Sequence, residues 1–259
     1  MRTARLPRLA TLAFGFAFLY APIVLLVIYS FNASKLVTVW AGFSMRWYAS
    51  LFSNEQLIAS AKISLEVAAL SAIIATFNGT LAAFALERFG AFRSRSVFVG
   101  SIYAPLVIPE VILGLSLLLI FVALGVGRGF WTIVVGHATF TMCFAAVVIR
   151  ARLAGMDQSL EEAAMDLGAG PVMTFLRIVL PQLTPALVSA WMLAFILSLD
   201  DLVIASFTSG PGSTTLPMRI YSQVRLGVTP EINAMSSLLL AAVGLALFIS
   251  AIAGRRHES

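Results

Sequence analysis

Residues 160–181 read LEEAAMDLGAGPVMTFLRIVLP, a stretch of mixed polarity in a chain that is otherwise 60% hydrophobic. It contains adjacent glutamates, two glycines and two prolines, and it lies between apolar runs at about residues 131–150 and 185–208. Charged and turn-forming residues are costly inside a lipid bilayer and common where a chain leaves it. The stretch therefore predicts a structured connection between two membrane helices.

The connection carries its own helix signals. Ser159 followed three residues later by Glu162 predicts a capping box at a helix start. We expect that helix over residues 160–167, with Gly168 in the left-handed conformation that ends it. A second helix is expected over residues 171–181, because proline suits a first helical turn and the proline at its far end should stop it.

Composition places the rest of the chain in a membrane. Only 11% of its 259 residues are charged, against about 25% in soluble domains, and the mean hydropathy is +0.97. A spanning helix needs about 20 apolar residues, and continuous apolar runs favour helices over a barrel. We predict one all-α membrane domain over residues 1–259, with six transmembrane helices at about residues 9–30, 61–86, 97–124, 131–150, 185–208 and 233–253.

The distribution of basic residues predicts the orientation, since positively charged loops stay in the cytoplasm. An inside N-terminus puts eleven of the 17 Lys and Arg residues on the cytoplasmic side. These are Arg2, Arg5, Arg8, Arg88, Arg93, Arg95, Arg150, Arg152, Arg177, Arg255 and Arg256. Both termini are therefore expected in the cytoplasm, and residues 151–184 form the longest cytoplasmic loop.

The spacing within that loop resembles a known family. The pattern EAA, three residues, Gly, nine residues, Ile, one residue, Leu-Pro is that of the EAA loop in permease subunits of bacterial ABC importers. The matching residues are Glu162, Ala163, Ala164, Gly168, Ile178, Leu180 and Pro181.

The resemblance implies a type I ABC importer permease in the bacterial inner membrane, in which this loop is the coupling helix. It implies that Glu161 and Glu162 meet polar or basic groups of a dimeric ATPase, with Gly168 permitting the bend. The chain has no phosphate-binding loop of its own, so a partner must hydrolyse ATP. A second permease subunit and a periplasmic binding protein are implied as well.

Three further segments narrow the resemblance. Residues 20–52, 104–124 and 197–234 look like the polyamine permeases of this family. The resemblance therefore implies import of putrescine or spermidine, delivered by a polyamine-binding protein.

Acidic residues within the predicted spans are candidates for a cation path, because an unpaired carboxylate is costly in lipid. At helical spacing Asp201 shares a small, polar face with Trp191 and Ser198, while Asp200 points about 100° away. We therefore assign Asp201 to the substrate path and Asp200 to a structural role. Glu66, near the start of its span, is expected to be a solvated interfacial acid.

The third predicted span should be broken or kinked near Pro109, since proline disrupts a helix. Glu110 follows that proline, and Tyr103 lies on the same stripe if the helix continues. An aromatic ring and a carboxylate together suit an ammonium group. The alternative for Glu110 is an ion pair with a basic residue of another subunit, and the alternative for Asp201 is a structural role.

The remaining polar residues predict no chemistry of their own. His137 is expected to pack or to form a hydrogen bond between helices, and Cys143 has no partner at metal-ligand spacing. We expect no catalytic residue, cofactor or metal. The sequence pI of about 9.9 reflects the cytoplasmic bias of Arg, so nucleic acid is not an expected partner.

Two rival functions stay open. A permease for an anionic solute would need basic groups along its path, and the acidic residues in the predicted spans argue against that function. A secondary carrier could use Asp201 or Glu110 in proton coupling, but it would leave the EAA spacing unexplained.

Overall fold

The computed structural model describes residues 5–36, 39–227 and 229–255, and it describes side chains between residues 11 and 245 apart from Leu226. These residues are mostly helical, and no strand forms among them, although an isolated bridge joins Asn32 to Phe43. The helices are α1 (Arg5–Ser30), α2 (Arg46–Ser53), α3 (Glu55–Arg88), α4 (Arg95–Val107), α5 (Glu110–Ala123), α6 (Phe130–Ala154), α7 (Ser159–Asp166), α8 (Pro171–Thr174), α9 (Leu180–Asp200), α10 (Val203–Thr208), α11 (Leu216–Leu226) and α12 (Pro230–Arg255), with a π-helical segment at Phe175–Val179.

Four helical stretches in the described residues are long and apolar enough to cross a membrane: Thr11–Ser30, Glu55–Arg88, Phe130–Ala154 and Pro171–Asp200. A fifth span would require α4 and α5 together, and these are bent by 115°. The apolar part of α12, Pro230–Leu245, is shorter. The multi-helix membrane architecture is confirmed, while the count of six spans stays a prediction.

The predicted break in the third span is confirmed. Ile108, the residue before Pro109, is extended with φ −75° and ψ 130°, and it separates α4 from α5. A residue that precedes proline is pushed out of the helical region by the proline ring. The 115° bend that results places Glu110 at the start of a new helix.

Two predicted helix ends are wrong. Pro181 does not stop a helix: the chain continues from α8 through the π-helical segment into α9, and Pro181 lies in the first turn of α9. Proline is accommodated there because the π-helical segment before it interrupts the regular i→i−4 hydrogen-bond ladder. The predicted span at 185–208 ends at Asp200, since Asp201 is extended with ψ 125° and α10 is a separate short helix.

The chain divides into two compact units, of which residues 59–219 form the larger. Within that unit α6 packs against α9, and α10 packs against α5 and α6. A buried cluster of small and aliphatic side chains joins α3, α6, the π-helical segment and α9: Ala83, Ala145, Ile149, Leu153, Val179, Leu183 and Ala190. Helices α3 and α6 approach so closely that a Cβ on Gly79 would lie 3.0 Å from the Cβ of Ala145.

The smaller unit consists of residues before 59 and after 219. In it α12 packs against both α1 and α2. Asn32 is fully buried and organises the loop before α2, accepting from Ala41 N at 2.9 Å and donating to Val39 O at 2.7 Å. Glu231 accepts hydrogen bonds from Ser50 and Asn54, which tie α2 to the start of α12.

Candidate coupling loop and substrate path

The helix that carries the EAA residues starts one residue earlier than predicted, and its capping box is absent. Ser159 is the first residue of α7, and no side chain caps the helix at Gln158. Instead, Asp157 Oδ1 accepts the backbone N–H of Ser159 at 3.0 Å. This bond favours the charged carboxylate and lowers the pKa of Asp157.

The bend at Gly168 is confirmed. Its φ is +90°, in the region that glycine enters without steric cost. The backbone N–H of Gly168 bonds to Met165 O at 2.9 Å, and that of Ala169 bonds to Ala164 O at 3.0 Å. These two bonds form a Schellman motif. Pro171 then begins α8, as predicted.

The two adjacent glutamates of α7 lie on different faces of the helix. Glu161 is buried, and its carboxylate forms a bidentate pair with Arg88, the last residue of α3. Glu162 and Ala163 are exposed, and Ala164 is half-buried. The structure thus gives Glu161 a partner within the chain, where the resemblance implied a group of the ATPase.

The remaining residues of the EAA pattern lie on the returning helix. Ile178 and Leu180 are half-buried and Pro181 is exposed, within or just after the π-helical segment. Exposed apolar side chains continue the outer surface of the loop, including Leu160, Met165, Leu167, Val172 and Leu176. The loop therefore presents an apolar surface next to Glu162.

The structure reverses the expected exposure of the two adjacent aspartates. Asp201 is buried, with Oδ1 3.1 Å from His137 Nε2 and 2.9 Å from the backbone N of Ala205, whereas Asp200 is exposed. The two atoms are close, but their geometry is not that of a hydrogen bond. The helical stripe that placed Asp201 on the path does not extend past Asp200, where α9 ends.

His137 links two helices, as predicted. Its Nδ1 shares a hydrogen bond of 2.7 Å with Ser198 Oγ, and both side chains are buried. Ser198 is therefore a buried partner of His137 and does not lie on an open surface. Trp191 is half-buried, stacks on Phe195 at 5.2 Å between ring centroids, and packs beside α3.

Glu110 lies near Asp200 and Asp201, because α5 packs against α10, the short helix that follows the two aspartates, and their charges act on it. It is the first residue of α5 and is exposed. The break in the third span and the end of α9 therefore bring three carboxylates into one neighbourhood. Sequence reasoning named all three acids but did not predict that they converge.

Tyr103 does not join that group. The bend between α4 and α5 separates it from Glu110, so the predicted shared stripe is wrong. Its hydroxyl accepts from Arg150 Nη1 at 3.4 Å, and with Glu87 and Arg150 it lines an open cavity of about 450 Å³. This cavity lies beside the residues at the ends of α3 and α6.

Sequence reasoning missed the ion pairs at those helix ends. Arg150 Nε donates to Glu87 Oε1 at 2.6 Å, next to the Arg88–Glu161 pair. Both arginines had been counted only as cytoplasmic charge, and their partners lie more than 60 residues away in sequence. Glu66 is exposed and lies 3.8 Å from Lys62 on the same helix, and its place at the membrane interface stays a prediction. No group of three or more potential metal ligands occurs in the part of the chain that the structure describes.

The geometry has counterparts in known proteins. Residues 75–257 match the family described as binding-protein-dependent transport system inner membrane component. The putrescine transport system permease protein PotI of Escherichia coli (strain K12) is 55% identical over 249 residues, which cover 94% of this chain and 89% of that protein. The spermidine/putrescine transport system permease protein PotC of the same strain is 41% identical over 225 residues, covering 87% of this chain and 85% of that protein.

Solved structures agree on the fold. A chain of a bacterial ABC transporter involved in the import of the acidic polysaccharide alginate superposes with a TM-score of 0.75 at 16% identity, covering 98% of this chain and 96% of that one. A structure of a bacterial alginate ABC transporter in complex with a pentasaccharide-bound periplasmic protein gives 0.70 at 17% identity, covering 96% and 92%. This chain belongs to the family of inner-membrane components of binding-protein-dependent transport systems, and the resemblance to ABC importer permeases is confirmed.

Proposed function

We propose that this chain is one of two permease subunits of an ATP-driven importer that carries polyamines, with putrescine as the first candidate. The 55% identity to a putrescine permease over 94% of the chain supports the assignment. The observation that carries the substrate class is the convergence of Glu110, Asp200 and Asp201 at two helix ends.

Three neighbouring carboxylates suit a solute with several ammonium groups. Like charges held together destabilise one another unless a cation lies between them. A polyamine supplies such charges, whereas an anionic solute would be repelled. Glu110 and Asp200 are exposed and can meet the solute, while Asp201 is buried against His137 and accepts from the N–H of Ala205.

The roles of the path residues follow from this arrangement. Glu110 and Asp200 offer charge to the solute, and Asp201 with Ser198 fixes the end of α9 through His137. Trp191 precedes that end on α9 and packs against the buried alanines that join α9 to α3. Tyr103 lies about one turn before the end of α4, and its hydroxyl accepts from Arg150 instead of binding the solute.

The proposed assembly places six spans in the inner membrane, with both termini in the cytoplasm. An ATPase dimer docks on the loop at residues 151–184, through Glu162, Ala163 and the apolar surface beside them. A second permease subunit completes the path, and a periplasmic polyamine-binding protein delivers the solute. The solved complex of an alginate transporter with its periplasmic protein provides the analogy for that delivery.

Uptake of labelled putrescine and spermidine by vesicles that contain the whole complex tests the proposal. Asp200→Asn and Glu110→Gln should each lower uptake about tenfold, equivalent to ~1.4 kcal/mol in the transport barrier, because each removes a charge that meets the solute. Stimulation of ATP hydrolysis by the loaded binding protein should persist, since the loop is untouched. Glu66→Gln removes an exposed acid elsewhere on a span and is the matched control.

Normal uptake in both Asp200→Asn and Glu110→Gln would contradict the cation path. Uptake that proceeds without ATP would contradict the importer assignment and favour a secondary carrier. Competition by an anionic solute, with no competition by spermidine, would contradict the substrate class.

A further inference from the structure

The last turn of α3 is joined to the coupling loop by an ion pair that is shielded from solvent. Arg88 Nη2 lies 2.7 Å from Glu161 Oε1, and Arg88 Nε lies 3.0 and 3.2 Å from the two carboxylate oxygens. The two side chains are only 9% and 11% exposed. A bidentate arginine–carboxylate pair is both strong and directional, so it fixes the distance and the orientation of α7 relative to α3.

The same turn of α3 also holds α6. The guanidinium of Arg88 reaches the carbonyl of Leu153 at 3.5 Å, and the preceding residue, Glu87, pairs with Arg150 at 2.6 Å. Helix α6 runs directly into the loop through residues 155–158, so the chain itself links α6 to α7. Helix α3 has no such covalent link, because more than 60 residues separate Arg88 from Glu161.

Displacements of α3 would reach the proposed path. Upstream of Arg88, Ala72 and Ala75 on α3 are fully buried against Ala194 and Trp191 of α9. A helix transmits a shift along its whole length because its backbone hydrogen bonds are stiff, and close-packed interiors do not absorb such shifts. A movement of α7 that pulls on Arg88 therefore changes the packing between α3 and α9, near the end of α9 where Asp200 lies.

We propose that Glu161 and Arg88 are positioning residues, together a cytoplasmic clamp that transmits the movement of the docked coupling helix to α3. The clamp assigns different tasks to two adjacent glutamates: Glu162 faces the ATPase, and Glu161 connects the helix to the membrane domain. This inference rests on the proposed function of the loop as an ATPase docking site. It does not depend on which solute is carried.

The test uses the complete complex with its ATPase, second permease and binding protein. Glu161→Gln and Arg88→Gln keep side-chain size and remove the ion pair. Each should leave co-purification with the ATPase and basal ATP hydrolysis within about twofold of the wild type, while stimulation by the loaded binding protein and solute uptake both fall about fivefold or more. The reciprocal exchange, Arg88→Glu with Glu161→Arg, should restore stimulation well above either single variant, as expected for a pair.

Two comparison variants separate the clamp from other roles. Arg93→Gln removes an exposed arginine from the loop between α3 and α4, and it should behave as the wild type. Glu162→Gln, on the exposed face, should weaken binding of the ATPase itself. Should Glu161→Gln fail to accumulate, Arg88→Lys keeps the charge but offers one nitrogen instead of the two that hold Glu161, and its stimulation should fall as well.

Wild-type stimulation in Glu161→Gln and Arg88→Gln would overturn the clamp. Loss of ATPase binding in Glu161→Gln would also overturn it, because Glu161 would then be a docking residue. A reciprocal exchange with no more stimulation than the single variants would overturn it as well. A wild-type complex that responds to its binding protein but imports no polyamine contradicts the proposed substrate instead. In that case the stimulation of ATP hydrolysis still shows whether the clamp transmits the movement of α7.

Discussion

Replacing Gly168 with valine should weaken docking of the ATPase without preventing membrane insertion. The backbone at Gly168 has φ +90°, and a Cβ built there meets no other atom within 4 Å. The substitution therefore causes no collision, and its whole effect lies in the backbone conformation. A left-handed conformation costs an L-residue about 1–2 kcal/mol, and a β-branched side chain lies at the upper end of that range or beyond it.

This cost translates into a change of binding. An energy of about 1–2 kcal/mol changes the ratio of bent to unbent loop by a factor of roughly 5–30. If the ATPase binds only the bent form, its apparent dissociation constant rises by up to that factor, and by less where the bent form predominates in the wild type. Titration of purified ATPase onto the detergent-solubilised permease pair measures this constant, with the yield of inserted subunit as the control for folding.

Gly170→Val is the matched control. Gly170 lies two residues away, also has open space around its Cα, and has φ −69° and ψ 161°, which valine adopts readily. Gly168→Asn should fall between valine and the wild type, because asparagine enters the left-handed region more easily. Equal dissociation constants for Gly168→Val and Gly170→Val would refute the argument that the bend presents the docking surface.

Other perturbations test the remaining parts of the fold. His137→Ala should lower the thermal unfolding temperature of the subunit in detergent, because it removes the buried hydrogen bond to Ser198 and leaves a buried hydroxyl without that partner, at a cost of about 1–3 kcal/mol. Lys62→Ala breaks an exposed pair and should cost less than about 1 kcal/mol. Gly210→Ala should also destabilise the subunit, by about 1–3 kcal/mol, because its Cβ would collide with the backbone carbonyl of Arg128, while Gly127→Ala meets open space. Equal melting temperatures within either pair of variants would contradict the corresponding contact.

Local signals in the sequence predicted the parts of the fold that depend on neighbouring residues. Hydropathy located the long apolar helices, and Pro109 predicted the break in the third span. The bend at Gly168 and the helix start at Pro171 followed from the conformational preferences of glycine and proline. Each of these features is decided by residues within one or two helical turns.

The features that were missed depend on distant residues or on a break without a sequence signal. Nothing in the segment LSLDDLVIAS marks a helix end, since it contains neither glycine nor proline, and its apolar character continues beyond Asp200. The contacts of Arg88 with Glu161 and of Arg150 with Glu87 join positions that are 73 and 63 residues apart. Hydropathy and motif spacing carry no information about such pairs, so the inward direction of Glu161 could not be predicted.

The break after Asp200 also explains why the three acids of the proposed path are not equivalent. Glu110 begins α5, where the helix dipole stabilises a carboxylate, and the carboxylate of Asp201 accepts the N–H of Ala205 in α10. Asp200 instead ends α9, where the last carbonyl groups add to its negative charge. An ammonium group therefore gains the most electrostatic stabilisation beside Asp200, the exposed member of the aspartate pair. Helical periodicity alone had favoured Asp201, because it assumed that the helix continues past Asp200. The helix ends there, and that end is what makes Asp200 and Asp201 different.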